Sequence, residues 1–253
     1  MQSATHKLTL ANQGPNQPEV FYSIQGEGPE TGRPSIFIRL SLCNLTCTWC
    51  DTPYTWNWDD KGFHHESGVR YSRNLEQSVL DFDDLTRRAL NFPGEHFVIT
   101  GGEPMVQQKR LEKWFAHHRE RQPASRFDIE TNATIVPTPA FDNFIALYVC
   151  SPKLANSGVA KSERIIPEAM RYFVQHERSV FKFVVESEAD LSEIQELQAE
   201  FTIASSRIFL MPLGTDHATA TSRHHWLAEQ CLKFDYRFSP RLHLMLYGDG
   251  RGV

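Results

Sequence analysis

The chain has 253 residues, 40% hydrophobic and 23% charged, the composition of an ordinary globular protein large enough for one α/β domain such as a barrel. Its formal net charge is -5 and no basic run exceeds two adjacent residues, so there is no electrostatic footprint for a phosphate backbone and no nucleic-acid partner is expected. No stretch approaches the roughly 18 consecutive apolar residues of a spanning helix, and the polar opening at residues 1–17 reads as neither a secretory signal nor a membrane anchor. No membrane association is expected and a cytoplasmic location follows, in keeping with cysteines clustered rather than spread for disulfides.

The first signal in chain order is Phe-Tyr-Ser-Ile-Gln-Gly-Glu-Gly-Pro at 21–29, which sets Gln25 and Glu27 in a glycine-flanked loop. Such a loop can present a carboxamide and a carboxylate to the edge of a heterocycle. Residues 35–42 then alternate as a strand, with Ile36, Ile38, Leu40 and Leu42 on one face and Phe37, Arg39 and Ser41 on the other. Cys43, Cys47 and Cys50 follow at once. Residues 51–93 form a long insertion whose Trp- and His-rich middle has no clean period; it reads as a lid or subunit contact, or as a solvated loop. Its end, 75–91, has helical character.

Further strand-like runs recur at 96–100, 127–130, 145–150, 181–185 and 208–211, separated by stretches of helical period such as 111–120 and 191–201. This β-α alternation predicts parallel strands joined by right-handed crossovers. Six such strands predict an α/β fold, a partial TIM barrel in one domain spanning 1–253, with a binding loop at about 18–34 and an insertion at about 51–75. On that fold the polar segments all fall at carboxyl ends of strands, where barrel enzymes build their sites. These are the cysteine loop, Gly101-Gly102-Glu103-Pro104, Glu130-Thr131-Asn132, Ser151-Pro152-Lys153 and Glu186.

Thiolates are soft donors suited to iron-sulfur clusters, zinc or copper, and a closed structural zinc site needs a fourth protein ligand. None lies nearby except His64 and His65, which leave a Cys3His zinc knuckle as the duller reading. Cys150 and Cys231 sit in apolar contexts and are expected in the core. Three thiolates on a four-iron cubane would instead leave one iron open to a small molecule. The cysteine spacing resembles that of the radical S-adenosylmethionine (radical SAM) superfamily, in which the open iron chelates the cofactor's methionine and electron transfer yields a 5'-deoxyadenosyl radical. The resemblance implies a [4Fe-4S] cluster on Cys43, Cys47 and Cys50. It also implies that Gly101, Gly102 and Glu103, as a GGE motif, hold the methionine amino group, that Ser151 and Lys153 meet the cofactor's carboxylate or ribose, and that Trp49 covers cluster and adenine.

Taken with Arg39, Cys50-Asp51-Thr52 and the tail Leu-His-Leu-Met-Leu-Tyr-Gly-Asp-Gly-Arg-Gly-Val at 242–253, the Gln25–Glu27 loop resembles the 7-carboxy-7-deazaguanine synthase family. That resemblance implies conversion of 6-carboxy-5,6,7,8-tetrahydropterin to 7-carboxy-7-deazaguanine with loss of ammonia, on the queuosine pathway, as a carbon-nitrogen lyase using Mg2+. Gln25 and Glu27 would read the pterin edge, Arg39 would pair with the substrate carboxylate, His243 would complete the pocket, and Thr52 would give a hard oxygen to Mg2+. A homodimer and a reductant protein such as flavodoxin are further implications. Residues beyond Gly248 lengthen the tail and leave its end without an assigned role. Two rivals remain at this level: an activase that makes a glycyl radical on a partner protein, and a non-enzymatic iron-sulfur or zinc module.

Overall fold

Runs rich in β-branched and aromatic residues, bounded by glycine, proline or polar turns, form the strands in the computed structural model, which describes residues 6–253 other than 61, 63, 64 and 215. In chain order they are β1 (Lys7–Gly14), β2 (Gln17–Pro18), β3 (Val20–Ile24), β4 (Pro34–Leu40), β5 (Gln77–Asp81), β6 (His96–Gly101), β7 (Arg126–Thr131), β8 (Ile145–Cys150), β9 (Ser179–Val185), β10 (Ile208–Pro212) and β11 (Arg237–Phe238). The sheet order is β11-β10-β9-β8-β7-β6-β4-β1-β2, with β3 added to β4 and β5 to β1. From β4 to β11 every neighbouring pair is parallel. The sheet does not close on itself, so the described residues make the partial barrel expected from the six strand-like runs.

Helices cover the outer face, and their periodicity explains how. In the helix Gln108–Arg119 the buried residues are Leu111, Trp114, Phe115 and His118, a single stripe at helical spacing. The stripe meets an aromatic cluster: Phe115 stacks on Phe127 of β7 with ring centroids 4.2 Å apart, and Trp114 meets Phe97 of β6 edge-on. Cys150 and Cys231 are both buried, as their apolar contexts predict.

One segment departs from the sequence-based expectation, and a second is only partly described by it. Residues 75–91 are not one helix: Gln77–Asp81 forms β5, and the helix starts at Phe82. The reason is pairing. The opening segment, expected to be merely polar, contributes β1, and five residues of β5 pair with it in register from Lys7↔Asp81 to Ala11↔Gln77. Tertiary pairing outweighs local helical propensity here, and Asp81 then caps the helix by accepting the Asp84 backbone N–H at 2.8 Å. The Trp-rich insertion divides: its start, 53–58, is buried, while most of the described residues of 59–69 are exposed to solvent. Tyr54, Trp56 and Trp58 are all buried, and Arg73 stacks on Trp58.

The first parallel strand ends at Leu40, two residues before the expected Leu42. Leu42 has φ +80, a conformation that costs a non-glycine residue about 1–3 kcal/mol. It is held there from both sides, its N–H on Thr55 O (3.0 Å) and its carbonyl on the Glu103 N–H (2.8 Å). This sharp turn is what throws the cysteines off the strand and over its end.

Because Trp114 is fully enclosed, Trp114→Ala is expected to lower unfolding free energy by about 3–5 kcal/mol. Urea denaturation of the metal-free protein followed by circular dichroism measures this.

Candidate active site

The loops after β4, β6, β7 and β8, and the ends of β9 and β10, all open onto one cavity. Of the residues singled out in the sequence, Gln25, Glu27, Arg39, Cys43, Cys47, Trp49, Cys50, Thr52, Gly101, Gly102, Ser151, Lys153 and His243 line it, and Glu103 does not. Val253, in the tail without an assigned role, lines it too.

The cysteine loop is braced by its own backbone and by its neighbours. Cys43 Sγ accepts the Leu45 N–H at 3.4 Å, Cys50 N–H donates to Cys47 O at 3.3 Å, and Thr48 N–H donates to Ser157 O at 2.9 Å. Burial pushes all three thiols up, Cys47 to about 11 with Lys153 opposing the rise, and Cys43 further. The pocket therefore disfavours bare thiolates, which suits sulfurs meant to be deprotonated by a bound metal. Among the described residues no three His, Cys, Asp or Glu side chains converge to share one ion. A cubane, whose thiolates each take a different iron, asks for wider-set sulfurs. Of the two histidines named for a zinc knuckle, His65 is engaged elsewhere: its Nε2 donates to Cys50 O at 2.8 Å while its Nδ1 faces Ser67 Oγ at 2.8 Å. His64 lies outside the described residues.

The two glycines after β6 serve the cysteine loop as well as the cavity. A Cβ on Gly101 would sit 2.1 Å from Leu40 O, and one on Gly102 2.1 Å from Leu42 O. With side chains here, β6 could not lie against the turn that launches the cysteines. Glu103 is fully buried, accepting from Met105 N (2.9 Å), Thr131 Oγ1 (2.8 Å) and Asn132 N (2.7 Å). Its carboxylate thus ties the loops after β6 and β7 together, whereas the sequence alone pointed it at a ligand.

Charge concentrates on the other residues. Glu27 contacts the Lys182 ammonium through Oε2, and through Oε1 takes Arg241 Nε at 3.2 Å with His243 Nε2 at 3.8 Å. Burial alone would raise Glu27, but Lys182, then Arg241 and His243, hold it well below the usual carboxylate range. Burial would lower Lys182, but Glu27 and then Glu130 at 3.9 Å raise it, so the ammonium is a permanent cation. Burial lowers His243 despite Glu27. Burial would raise Asp51, but Arg241, joined by Arg39 and Lys153, lowers it overall. Gln25 is committed to the protein at both ends, donating to Glu130 Oε1 (3.2 Å) and accepting the Glu27 N–H (3.1 Å). Arg39 gives its Nε to Glu19 Oε1 at 2.7 Å, so it is ion-paired while lining the cavity. Lys153 Nζ reaches Ser151 Oγ at 3.0 Å and lies 5.6 Å from the Trp49 ring centre; the Trp49 indole N–H donates to Asn156 O at 2.9 Å. Thr52 Oγ1 lies 3.7 Å from Cys50 Sγ.

Sequence reasoning assigned no role to Lys182, Arg241, Glu130, Asp51 or Glu19. Lys182 carried a usable signal, a single charge inside Phe-Lys-Phe-Val-Val on a strand buried on both faces. Arg241 and Glu19 carried none, since only the fold brings them to Glu27 and Arg39.

A thiol triplet, Cys47 buried and Cys43 and Cys50 half-buried, and a glycine turn at the carboxyl end of a partial barrel define a radical SAM enzyme, and residues 38–148 match the family model described as the Radical SAM superfamily. Members of that superfamily work with a [4Fe-4S] cluster and S-adenosylmethionine, and the donor set here fits both. The 7-carboxy-7-deazaguanine synthase of Hyperthermus butylicus is 34% identical over 96% of this chain and 97% of its own, and that of Pyrobaculum aerophilum is 33% identical over 92% and 95%. The crystal structure of QueE from Escherichia coli superposes with a TM-score of 0.63 at 26% identity, covering 96% of this chain and all of that one. The chain belongs to the 7-carboxy-7-deazaguanine synthase family.

Removing Lys182 leaves Glu27 with Arg241 and His243 as its only basic neighbours among the described residues. Lys182→Met is therefore expected to cost about 1–3 kcal/mol at pH 7.5, less than a fully unpaired buried charge would, with Glu27→Gln in the same chain restoring most of it. Glu27 has a depressed folded value, so its contribution is full above the unfolded carboxylate range and fades only as acid protonates it; the deficit of Lys182→Met therefore shrinks in strong acid. Urea denaturation of the single and double variants across pH measures both effects.

Proposed function

We propose that this chain converts 6-carboxy-5,6,7,8-tetrahydropterin to 7-carboxy-7-deazaguanine with loss of ammonia, acting in the cytoplasm on the route to queuosine. The observation that carries the reading is Glu27, held ionised by Lys182, Arg241 and His243 in the same cavity as the three clustered thiols. An ionised, buried carboxylate is a strong acceptor for the amino and ring N–H donors of a pterin. Glu130, which takes the Thr100 hydroxyl at 2.8 Å, adds a second acceptor. Gln25 orients this pair through its two hydrogen bonds, and His243 closes the pocket beside Glu27.

Arg39 receives the substrate carboxylate. Glu19 fixes the Nε edge and leaves the rest of the guanidinium fork for a bidentate contact. Cys43, Cys47 and Cys50 hold the cluster; the Gly101-Gly102 backbone, Ser151, Lys153 and Trp49 hold S-adenosylmethionine, with Glu103 setting the glycine turn from behind. Bound together, the cluster and this cofactor supply the hydrogen-abstracting chemistry. The protein's part is to orient the pterin and to exclude water. Thr52, next to Asp51, offers a hard oxygen to Mg2+. The electron donor is a flavodoxin-like reductant, and the working unit is a homodimer.

Reduced, reconstituted protein is expected to release ammonia and a deazaguanine from the carboxylated pterin. Cys47→Ala should lose iron and turnover together. Glu27→Gln should keep the cluster's visible absorption and lose at least about 100-fold in kcat/KM, the scale of a removed charge-assisted contact; normal turnover in that variant sinks the substrate assignment.

A further inference from the structure

Arg251 lies outside the cavity, yet it is the most heavily engaged residue of the tail. Its guanidinium carbon sits 3.6 Å from the centre of the Tyr54 ring, and its Nη1 reaches Glu76 Oε2 at 2.6 Å and Asn12 O at 3.2 Å. The next residue, Gly252, has φ +74, and a Cβ there would fall 2.1 Å from Gln13 Oε1. Glycine takes this left-handed turn after Arg251 without the strain a side chain would add, and the turn carries Val253 to the cavity wall.

Tyr54 is the second half of the argument. Its hydroxyl donates to Glu19 Oε2 at 2.9 Å, and the other oxygen of Glu19 takes Arg39 Nε at 2.7 Å. Glu19 is fully buried, so these two donors decide where its carboxylate lies. A continuous series of contacts thus runs from the tail to a cavity cation: Arg251 on the Tyr54 ring, the Tyr54 hydroxyl on Glu19, Glu19 on Arg39. We propose that Arg251 is a positioning residue, latching residues 248–253 beside the cavity and, through Tyr54 and Glu19, fixing the Arg39 guanidinium for an anionic group of the substrate. A planar, permanently charged side chain suits the position, because it can stack on a ring and hold a carboxylate in its plane at once, which a lysine cannot.

The part concerning substrate rests on the reading that Arg39 receives the pterin carboxylate. In steady-state assays of the reconstituted enzyme, Arg251→Ala is expected to raise KM for the pterin about tenfold with kcat within about twofold, the signature of lost uniform binding. Arg251→Lys, which keeps the charge for Glu76 without the stack, should fall between wild type and Arg251→Ala. Tyr54→Phe, which keeps the ring under Arg251 but loses the hydroxyl, should raise KM without loosening the tail. An unchanged KM in Arg251→Ala and Tyr54→Phe, or a loss confined to kcat, overturns the proposal; should Arg251→Ala fail to fold, Arg251→Lys and Tyr54→Phe decide it. If the wild-type enzyme does not consume the pterin, the functional reading falls by itself. Hydrogen exchange on the metal-free protein then judges the latch: faster exchange at 53–58 and 248–253 in Arg251→Ala supports it, and unchanged exchange in both segments rejects it.

Discussion

A carboxylate cannot stay ionised inside a protein unless cations meet it there, and Glu27 is such a carboxylate. Its partners come from distant parts of the chain: Lys182 from the middle of β9, Arg241 and His243 from the segment before and within the helix Leu242–Tyr247. The loop that carries Glu27 is docked on the same segment by neutral contacts. Leu242 N–H donates to Gly26 O at 2.9 Å, Gly28 N–H to Ser239 Oγ at 2.8 Å, and a Cβ on Gly26 would overlap the His243 ring. One buried charge therefore draws the N-terminal loop, a central strand and the C-terminal helix to the same wall of the cavity.

The cysteine wall is built by a different constraint, the close approach of two backbones. β4 delivers Leu42 in a strained turn, and the end of β6 answers with two glycines: the Gly102 N–H donates to Leu40 O at 3.0 Å and the neighbouring Glu103 N–H to Leu42 O at 2.8 Å. Glu103 passes the restraint on to Thr131 and Asn132 of the next loop. Strain at Leu42 and burial at Glu103 both cost free energy. Both are tolerated because they hold the three thiols where a cluster can meet them.

This division explains what could be read from the sequence. The parallel strands were legible because strands buried on both faces leave continuous apolar runs, and the cysteine and glycine motifs were legible because their members are adjacent in the chain. The antiparallel β1 and β5 were not, since both are rich in polar residues and their pairing joins segments about 70 residues apart in the chain. Glu103 was recognised as important, but its role as a tie between loops depends on Thr131 and Asn132, which no local pattern announces. Lys182, Arg241 and Glu19 belong to pairs separated by 155, 214 and 20 residues, and a pairing of that kind exists only once the fold has formed.

The loop with Gln25 and Glu27 is held at its other end as well, but more weakly. Glu30 bridges Arg33 and Arg126, both at 2.8 Å, and Arg126 continues to Asp128, whose carboxylate takes His96 Nε2 at 2.8 Å. Arg33 and Arg126 are more than a third exposed, so water and salt screen these pairs and each is worth about 0–1 kcal/mol. The strong restraint is the buried one at the tip. Lys182 and Arg241 each use one oxygen of Glu27, and a carboxylate has about four lone-pair directions, so acceptor capacity remains after the protein's own cations are served. Those same cations hold the Glu27 carboxyl well below the usual carboxylate range. The proposed recognition of a row of N–H donors by Glu27 is therefore compatible with the ion pairs that hold the loop, so one group can organise this wall of the cavity and still meet a ligand.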